Sequence, residues 1–274
     1  MANLYERTDI YDLLEDEDRY NGVKKHWEAV LDGKEIRTFY DVSIGTGNLT
    51  LPLLDLGVKV YGSDLSGEML DACGKKAAAR GREIGLRQCD FRRLTEKPAV
   101  QREAERRDEN TSVPFPEKFD CVASTGNSLP YVTNEEVIQV LAQMDALVAP
   151  GGSLYYDMRN WDKILRDRRR FYLYNPVFRD DTRINLMQVW DYHADDSMTF
   201  HLLYTFEKEN RIFGKEQFEE HYFPVRRALL LDKIKEMGYR DIRLLCHPAY
   251  VTDMDAGEAD WYCVIAGKKQ GPCA

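Results

Sequence analysis

Residues Thr38 to Ile44 (TFYDVSI) form a short apolar, β-rich run that breaks at Gly45-Thr46-Gly47. It resumes as Leu49, Leu51, Leu53, Leu54 and Leu56, stopped by Gly57. That order predicts a strand, a glycine turn and a helix, with backbone N–H groups and a positive helix end facing a ligand and no Cβ to block its approach. The grammar repeats. Val58 to Ser63 is a second strand ending at Asp64, Ser66 to Arg80 a helix with Ser66 as N-cap, and Gly85 to Cys89 a third strand ending at Asp90. Lys118 to Thr125, Glu135 to Val148 and Gly152 to Met158 continue as strand, helix, strand. Strands alternating with helices predict an α/β fold with a Rossmann-like, doubly wound, mostly parallel sheet.

The pattern then changes. Ile184 to His193, Met198 to Lys208 and Glu216 to Pro224 are β-rich runs with short polar breaks and no helix between them, as expected of an inserted antiparallel β-ribbon subdomain. Arg226 to Met237, stopped by Gly238, returns to α/β grammar, and Ile242 to Cys246 and Trp261 to Gly267 supply two closing strands. At the other end, Trp27, Val30 and Leu31 mark a helical stripe. The expected division is a helical cap over 1–38, a core over 39–160, the insertion over 161–225 and completion of the core sheet over 226–274. Thr95 to Glu117 is polar and charged, holds three prolines and has no apolar period, which predicts a long exposed loop.

At 274 residues and 43% hydrophobic, the chain can bury a large core without staples. Its 38 basic and 47 acidic residues give a net charge of -9, which repels phosphate backbones and argues against nucleic acid as a partner. The six cysteines show no CxxC and no Cys/His metal spacing, so they read as reduced thiols with no metal site. An acidic N-terminal run, Glu15 to Asp18, and the lack of a long apolar stretch point to the cytoplasm and away from membranes. Open ribbon edges suggest a homo-oligomer.

A dinucleotide fingerprint would need a third glycine at position 50, where this chain has Thr50. An NAD(P)-dependent oxidoreductase therefore ranks behind other cofactor-binding readings. Asp64, ending the second strand, is placed to accept both hydroxyls of a ribose, and Asp90, ending the third, to meet an adenine amino group. The alternative is that both acids merely cap the elements that follow them.

Asp41-Val-Ser-Ile-Gly-Thr-Gly47 and Gly62-Ser-Asp64-Leu-Ser-Gly-Glu-Met69-Leu resemble the first two motifs of class I S-adenosylmethionine-dependent methyltransferases, a likeness covering most of residues 38 to 158. The resemblance implies S-adenosyl-L-methionine as cofactor and S-adenosyl-L-homocysteine as product. Gly45 and Gly47 would border the methionine moiety, Asp64 hold the ribose, Met69 pack on the adenine, and Asp90 with Phe91 enclose its edge. Tyr11, Tyr20, Ser43, Leu65 and Thr125 complete the candidate cofactor set.

Ser124-Thr-Gly-Asn127-Ser-Leu-Pro-Tyr131 and Pro150-Gly-Gly-Ser-Leu-Tyr-Tyr-Asp-Met-Arg159-Asn160-Trp161-Asp162 look like glycine N-methyltransferase and the related glycine/sarcosine enzymes. In that family the matching arginine grips the acceptor's carboxylate, the matching asparagine lies near the acceptor, and an equivalent ribbon reaches it. Arg159, Asn127 and Tyr222 are the corresponding catalytic-side candidates here. A guanidinium fork suits a carboxylate because two parallel hydrogen bonds fix its angle. The bland alternative for Arg159 is a surface salt bridge to Asp157 or Asp162.

Methyl transfer to an amine needs positioning and exclusion of water more than acid-base groups, metal or a covalent nucleophile. An ammonium acceptor must still lose a proton, and no residue stands out in the sequence as its base. His221, Tyr222, Tyr131, Tyr11 and Tyr20 are candidates to line the pocket. The expected activity is N-methylation of glycine, sarcosine or a related small carboxylated amine. The alternatives are methylation of an amino sugar or natural product, or a cofactor-binding sensor without catalysis.

Overall fold

The computed structural model describes residues 3–96 and 113–268. Seven strands form the main sheet, in the spatial order 239–246, 261–268, 148–159, 119–124, 38–41, 59–64 and 85–88. β1 (Thr38–Asp41), β2 (Lys59–Asp64), β3 (Gly85–Gln88), β4 (Phe119–Ser124) and β5 (Val148–Arg159) run parallel. β12 (Trp261–Lys268) is antiparallel to β5, and β11 (Tyr239–Cys246) is antiparallel to β12. Parallel central strands are covered on both faces, so they carry unbroken apolar runs: β4 is buried at five of six positions and β5 over its last eight.

The helices start where the sequence offers caps. Asp16 caps α2 (Glu17–Leu31) by accepting from Arg19 N, and Ser66 caps α3 (Gly67–Ala79) by accepting from Met69 N. Thr133 and Glu136 close a reciprocal capping box on α4 (Asn134–Leu147). Two short helices, α1 (Thr8–Tyr11) and α5 (Trp161–Asp167), and a final one, α6 (Arg227–Glu236), complete the set. Val23, Trp27 and Val30 form the buried face of α2.

The leucine-rich segment after the glycine turn departs from expectation. Leu51–Leu56 is a 3₁₀ run with Pro52 in its first turn, so no α-helix N-terminus points at the turn. A proline lacks the N–H that an α-helical ladder would use, and Gly57, at φ +79°, ends the run.

A second, five-stranded antiparallel sheet follows β5: β6 (Phe171–Leu173), β7 (Val177–Arg179), β8 (Thr182–Tyr192), β9 (Met198–Lys208) and β10 (Arg211–Tyr222). The three long strands are the expected ribbons, with β10 beginning earlier than the sequence suggested because Glu209 and Asn210 turn at positive φ. Their residues alternate, so one face of Trp190, Phe200, Phe218 and Tyr222 joins the main core.

The N-terminal region is not one helix but a 3₁₀ turn (Leu4–Glu6), α1 and α2. Of the loop expected over 95–117, residues 97–112 lie outside the described residues. Its end is anchored, since the Phe115 ring meets Tyr61 edge-on at 5.3 Å. No described helix is long and apolar enough to cross a membrane.

Candidate active site

The segments that follow β1 and β4 converge on a buried carboxylate at the end of β1. Asp41 accepts hydrogen bonds from Thr50 Oγ1 at 2.5 Å, Thr125 Oγ1 at 2.7 Å and Ser43 N at 3.1 Å. Burial pushes its carboxyl up to about 6, and the hydroxyl donors offset part of that rise. This knot shapes the glycine turn. Gly47 sits at φ +82°, and a Cβ there would lie 2.7 Å from Cys73 Sγ, so only glycine fits. The Gly45 N–H donates to Asp64 Oδ2 at 2.9 Å, and Ser66 N donates to Asp64 Oδ1 at 3.0 Å.

The two strand-end acids separate. Asp64 does not cap α3, because Ser66 does, and its carboxylate instead faces the glycine turn. Asp90 does cap the 3₁₀ turn Phe91–Arg93, and the Arg92 hydrogen bonds hold its carboxyl below the usual range. The capping alternative thus describes Asp90 and not Asp64.

A cleft of about 950 Å³ opens beside these strand ends, and Ser43, Asp64, Leu65, Asp90 and Phe91 all line it. Leu65 is 68% exposed there, an apolar surface available to a ligand. Among its described wall residues the cleft has seven carboxylates, Glu6, Asp64, Glu68, Asp90, Glu136, Glu219 and Glu220, against one arginine, Arg92. Arg92 is neutralised by Asp90 and Glu136, each at 2.6 Å. The cleft therefore favours cations.

Other candidates fall elsewhere. Gly45, Gly47, Thr125 and Tyr11 are not on the cleft wall, and the Tyr11 hydroxyl is 3.8 Å from the Cβ position of Gly45. Met69 is fully buried, inside the core. Tyr20 is turned away: its hydroxyl donates to Asp55 at 3.0 Å, and the Arg80 guanidinium lies 3.5 Å from its ring centre. Tyr20 shares the face of α2 that carries Val23 and Trp27, which packs on the 3₁₀ segment.

On the acceptor side, Arg159 is 6% exposed at the end of β5. Its Nη2 donates to Tyr174 Oη at 2.9 Å and Gln188 Oε1 at 3.2 Å, and the rings of Trp261 and Tyr172 lie 5.0 and 5.4 Å away. No described carboxylate forms an ion pair with it. Asp157 accepts from Gly126 N and Tyr155 Oη, and Asp162 pairs with Arg226, so the salt-bridge alternative does not hold. Arg159 borders a separate cavity of about 20 Å³ and is not on the large cleft's wall. Asn127, at φ +65°, accepts from Arg159 N at 3.1 Å and Trp161 Nε1 at 3.0 Å, which fixes the end of β5.

Tyr222 is linked to Tyr131 by a 2.8 Å hydroxyl contact, and the Tyr5 hydroxyl donates to Tyr131. Burial keeps all three phenols protonated by pushing their pKa values up. Two members of this group, Tyr5 and Glu220, were not among the sequence candidates. Glu220 is 7% exposed on the cleft wall, and burial pushes its carboxyl up to about 7. A signal was available: Phe218, Glu220 and Tyr222 share one face of β10, where an acid is out of place. Of the histidines, His26 is buried between Tyr155 Oη and Ala249 N as a structural residue, while His221 stands at the cleft rim.

Residues 40–154 match the methyltransferase domain family. The chain carries a class I S-adenosylmethionine-dependent methyltransferase domain. This methyltransferase is 26% identical over 225 residues (79% of the chain, 78% of the relative) to YqeM of Bacillus subtilis (strain 168), whose name mentions methyl transfer but no acceptor. It is 23% identical over 269 residues (94% of the chain) to a glycine/sarcosine/dimethylglycine N-methyltransferase of Actinopolyspora halophila, and spans 40% of that protein's length. It is 24% identical over 213 residues (74% of the chain, 66% of the relative) to a glycine/sarcosine N-methyltransferase of Aphanothece halophytica. In fold, the methyltransferase is similar to an S-adenosylmethionine-dependent methyltransferase of Clostridium acetobutylicum ATCC 824, with a TM-score of 0.68, 15% identity and coverage of 97% and 100% of the two chains. It is also similar in fold to CalS10, an amino pentose methyltransferase of Micromonospora echinaspora solved with its cofactor, with a TM-score of 0.65, 13% identity and 98% coverage of each chain.

Proposed function

We propose that this methyltransferase N-methylates a small amine that also carries a carboxylate, with glycine and sarcosine as representatives of the class. One observation carries the reading: Arg159 is a buried guanidinium whose partners are all neutral. A cation held out of water without an anion is costly, and an incoming carboxylate would offset that cost while using the fork's two parallel donors. The names of the two glycine/sarcosine relatives support the same acceptor class.

On the cofactor side, Asp64 would accept the ribose hydroxyls from the position it holds against Gly45 N. Leu65 and Phe91 would offer apolar faces to the adenine, Asp90 would meet its polar edge, and Ser43 would border the methionine end, with the glycine turn Gly45 to Gly47 adjoining it. Tyr11 would close over that end, while Met69 supports the site from within the core. S-adenosylmethionine brings a methyl group made electrophilic by its sulfonium charge. The acidic cleft attracts that cation.

Arg159→Lys tests the clamp. Turnover of a carboxylated amine should fall roughly tenfold to a hundredfold, the scale of about 1.5–3 kcal/mol for a charge-assisted hydrogen bond, with cofactor affinity unchanged. Full activity in the variant would refute the clamp.

A second reading has its own observation. The wall of the large cleft is lined by carboxylates and does not include Arg159, which suits an amine without a carboxylate, such as an amino sugar. Its support among relatives is one of fold. Faster turnover of carboxylate-free amines would select it.

A further inference from the structure

Glu220 is a carboxylate in an unusual place. It lies on the inward face of β10 between Phe218 and Tyr222, 7% exposed, yet it borders the large cleft. Among the described residues no Lys, Arg or His forms an ion pair with it. Phe200 on β9 stands opposite it, and four phenols lie close enough to feel its charge: Tyr5 from the N-terminal 3₁₀ turn, Tyr131 from the turn after β4, Tyr204 from β9 and Tyr222 on its own strand. The charged groups around it are mostly acids: Glu6, Glu68 and Glu136 line the same cleft, and Arg92 there is paired with Asp90 and Glu136. Arg7 pairs with Asp9 at 2.8 Å and Glu216 at 3.4 Å, and Glu219, also on the cleft wall, meets His201 at 3.1 Å. Such a group lacks a cation and faces the space where an amine would enter.

We propose that Glu220 binds the ammonium form of the acceptor and takes the proton that must leave before methyl transfer. This rests on the amine reading above. One N–H bond of the ammonium breaks, its electron pair stays on nitrogen, and the proton joins a Glu220 carboxylate oxygen. The nitrogen lone pair then forms the new N–C bond as the methyl carbon's bond to sulfur breaks. The broken bond's pair returns to sulfur, giving S-adenosylhomocysteine and a methylated ammonium. Glu220 passes its proton to water, so one proton is released per turnover.

Burial pushes the Glu220 carboxyl up to about 7, while the nearby Tyr131 hydroxyl offsets part of that rise. A base poised near the working pH is the efficient kind. The Tyr5, Tyr131 and Tyr222 hydroxyls, joined to one another, hold the carboxylate's surroundings fixed and stay protonated themselves.

The test is Glu220→Gln in the full chain, an isosteric change that removes only the charge. With an amine that is protonated at neutral pH, kcat/KM should fall on the order of 10²–10³-fold, the scale of general base catalysis. The parent's rising limb near pH 7 should be replaced by a rise that continues toward the amine's own pKa. With an electron-poor amine already neutral at the assay pH, the loss should shrink to a few fold. Cofactor affinity and the unfolding midpoint should be retained, and calorimetry with S-adenosylhomocysteine present should show weaker binding of the ammonium acceptor. An unchanged kcat/KM and pH limb would overturn the proposal while leaving the amine reading intact. Equal losses with protonated and neutral amines would overturn it in favour of a structural role. A parent enzyme that turns over no amine would overturn both.

Discussion

At the third position of the glycine motif a glycine would let the following segment close onto the strand, as dinucleotide binders require. Thr50 instead places a hydroxyl 2.5 Å from Asp41 Oδ2, and the same carboxylate holds Thr125 and Ser43. The residue that set aside a nicotinamide reading in the sequence thus has a job of its own. Asp64 is the other decisive residue, a half-buried carboxylate tied to Gly45 N and Ser66 N yet open to the cleft. Asp64→Ala should raise the dissociation constant for S-adenosylmethionine roughly tenfold to a hundredfold, reflecting about 1.5–3 kcal/mol of charge-assisted hydrogen bonding. Calorimetric titration checks this, and an unchanged affinity would remove Asp64 from the cofactor site. Residue positions were only partly legible in the sequence. Asp64, Leu65, Asp90 and Phe91 reached the cleft because strand ends are easy to locate, whereas Tyr20 did not, because its helical face could not be told from spacing alone.

Among the elements, the N-terminal segment is tied to the glycine turn by one side chain. Asp12, just after α1, accepts from Thr46 Oγ1 at 2.7 Å and Asn48 Nδ2 at 2.8 Å and pairs with Lys76 at 2.6 Å. It joins α1 to the glycine turn and to α3, which keeps Tyr11 over Gly45. Asp12→Ala should speed amide exchange across residues 4–14 and raise the KM for the cofactor several fold, while exchange in β4 and β5 stays slow. Unchanged exchange in the segment would mean that α1 is held by its apolar contacts alone. The 3₁₀ run Leu51–Leu56 was missed as such because its apolar residues satisfy a helical period, and only the backbone shows what Pro52 prevents. A sulfonium, unlike a pyrophosphate, gains nothing from a helix N-terminus, so a 3₁₀ run after the glycine turn is compatible with the proposed placement of the cofactor.

Across the whole molecule, a parallel sheet supplies strand ends and an antiparallel sheet supplies a wall, and the cleft lies where β10 comes within reach of the 3₁₀ turn after β4. The alternation of strand and helix made the first sheet readable, and period-two runs without helices made the second readable. The meeting of the two was not readable, because it depends on contacts between residues as far apart as Tyr5, Tyr131 and Tyr222. For that reason Glu220 and Tyr5 emerged only from the structure, although one acid on an apolar strand face was the clue. The chain's charge of -9 is mirrored in a cleft whose one arginine is neutralised, which suits cationic ligands. The most direct measurement is release of S-adenosylhomocysteine from S-adenosylmethionine by the full chain, across glycine, sarcosine, dimethylglycine, carboxylate-free amines and amino sugars. Acceleration by an amine, greatest for those carrying a carboxylate, is the predicted result. No acceleration by any amine above the buffer rate would contradict the account.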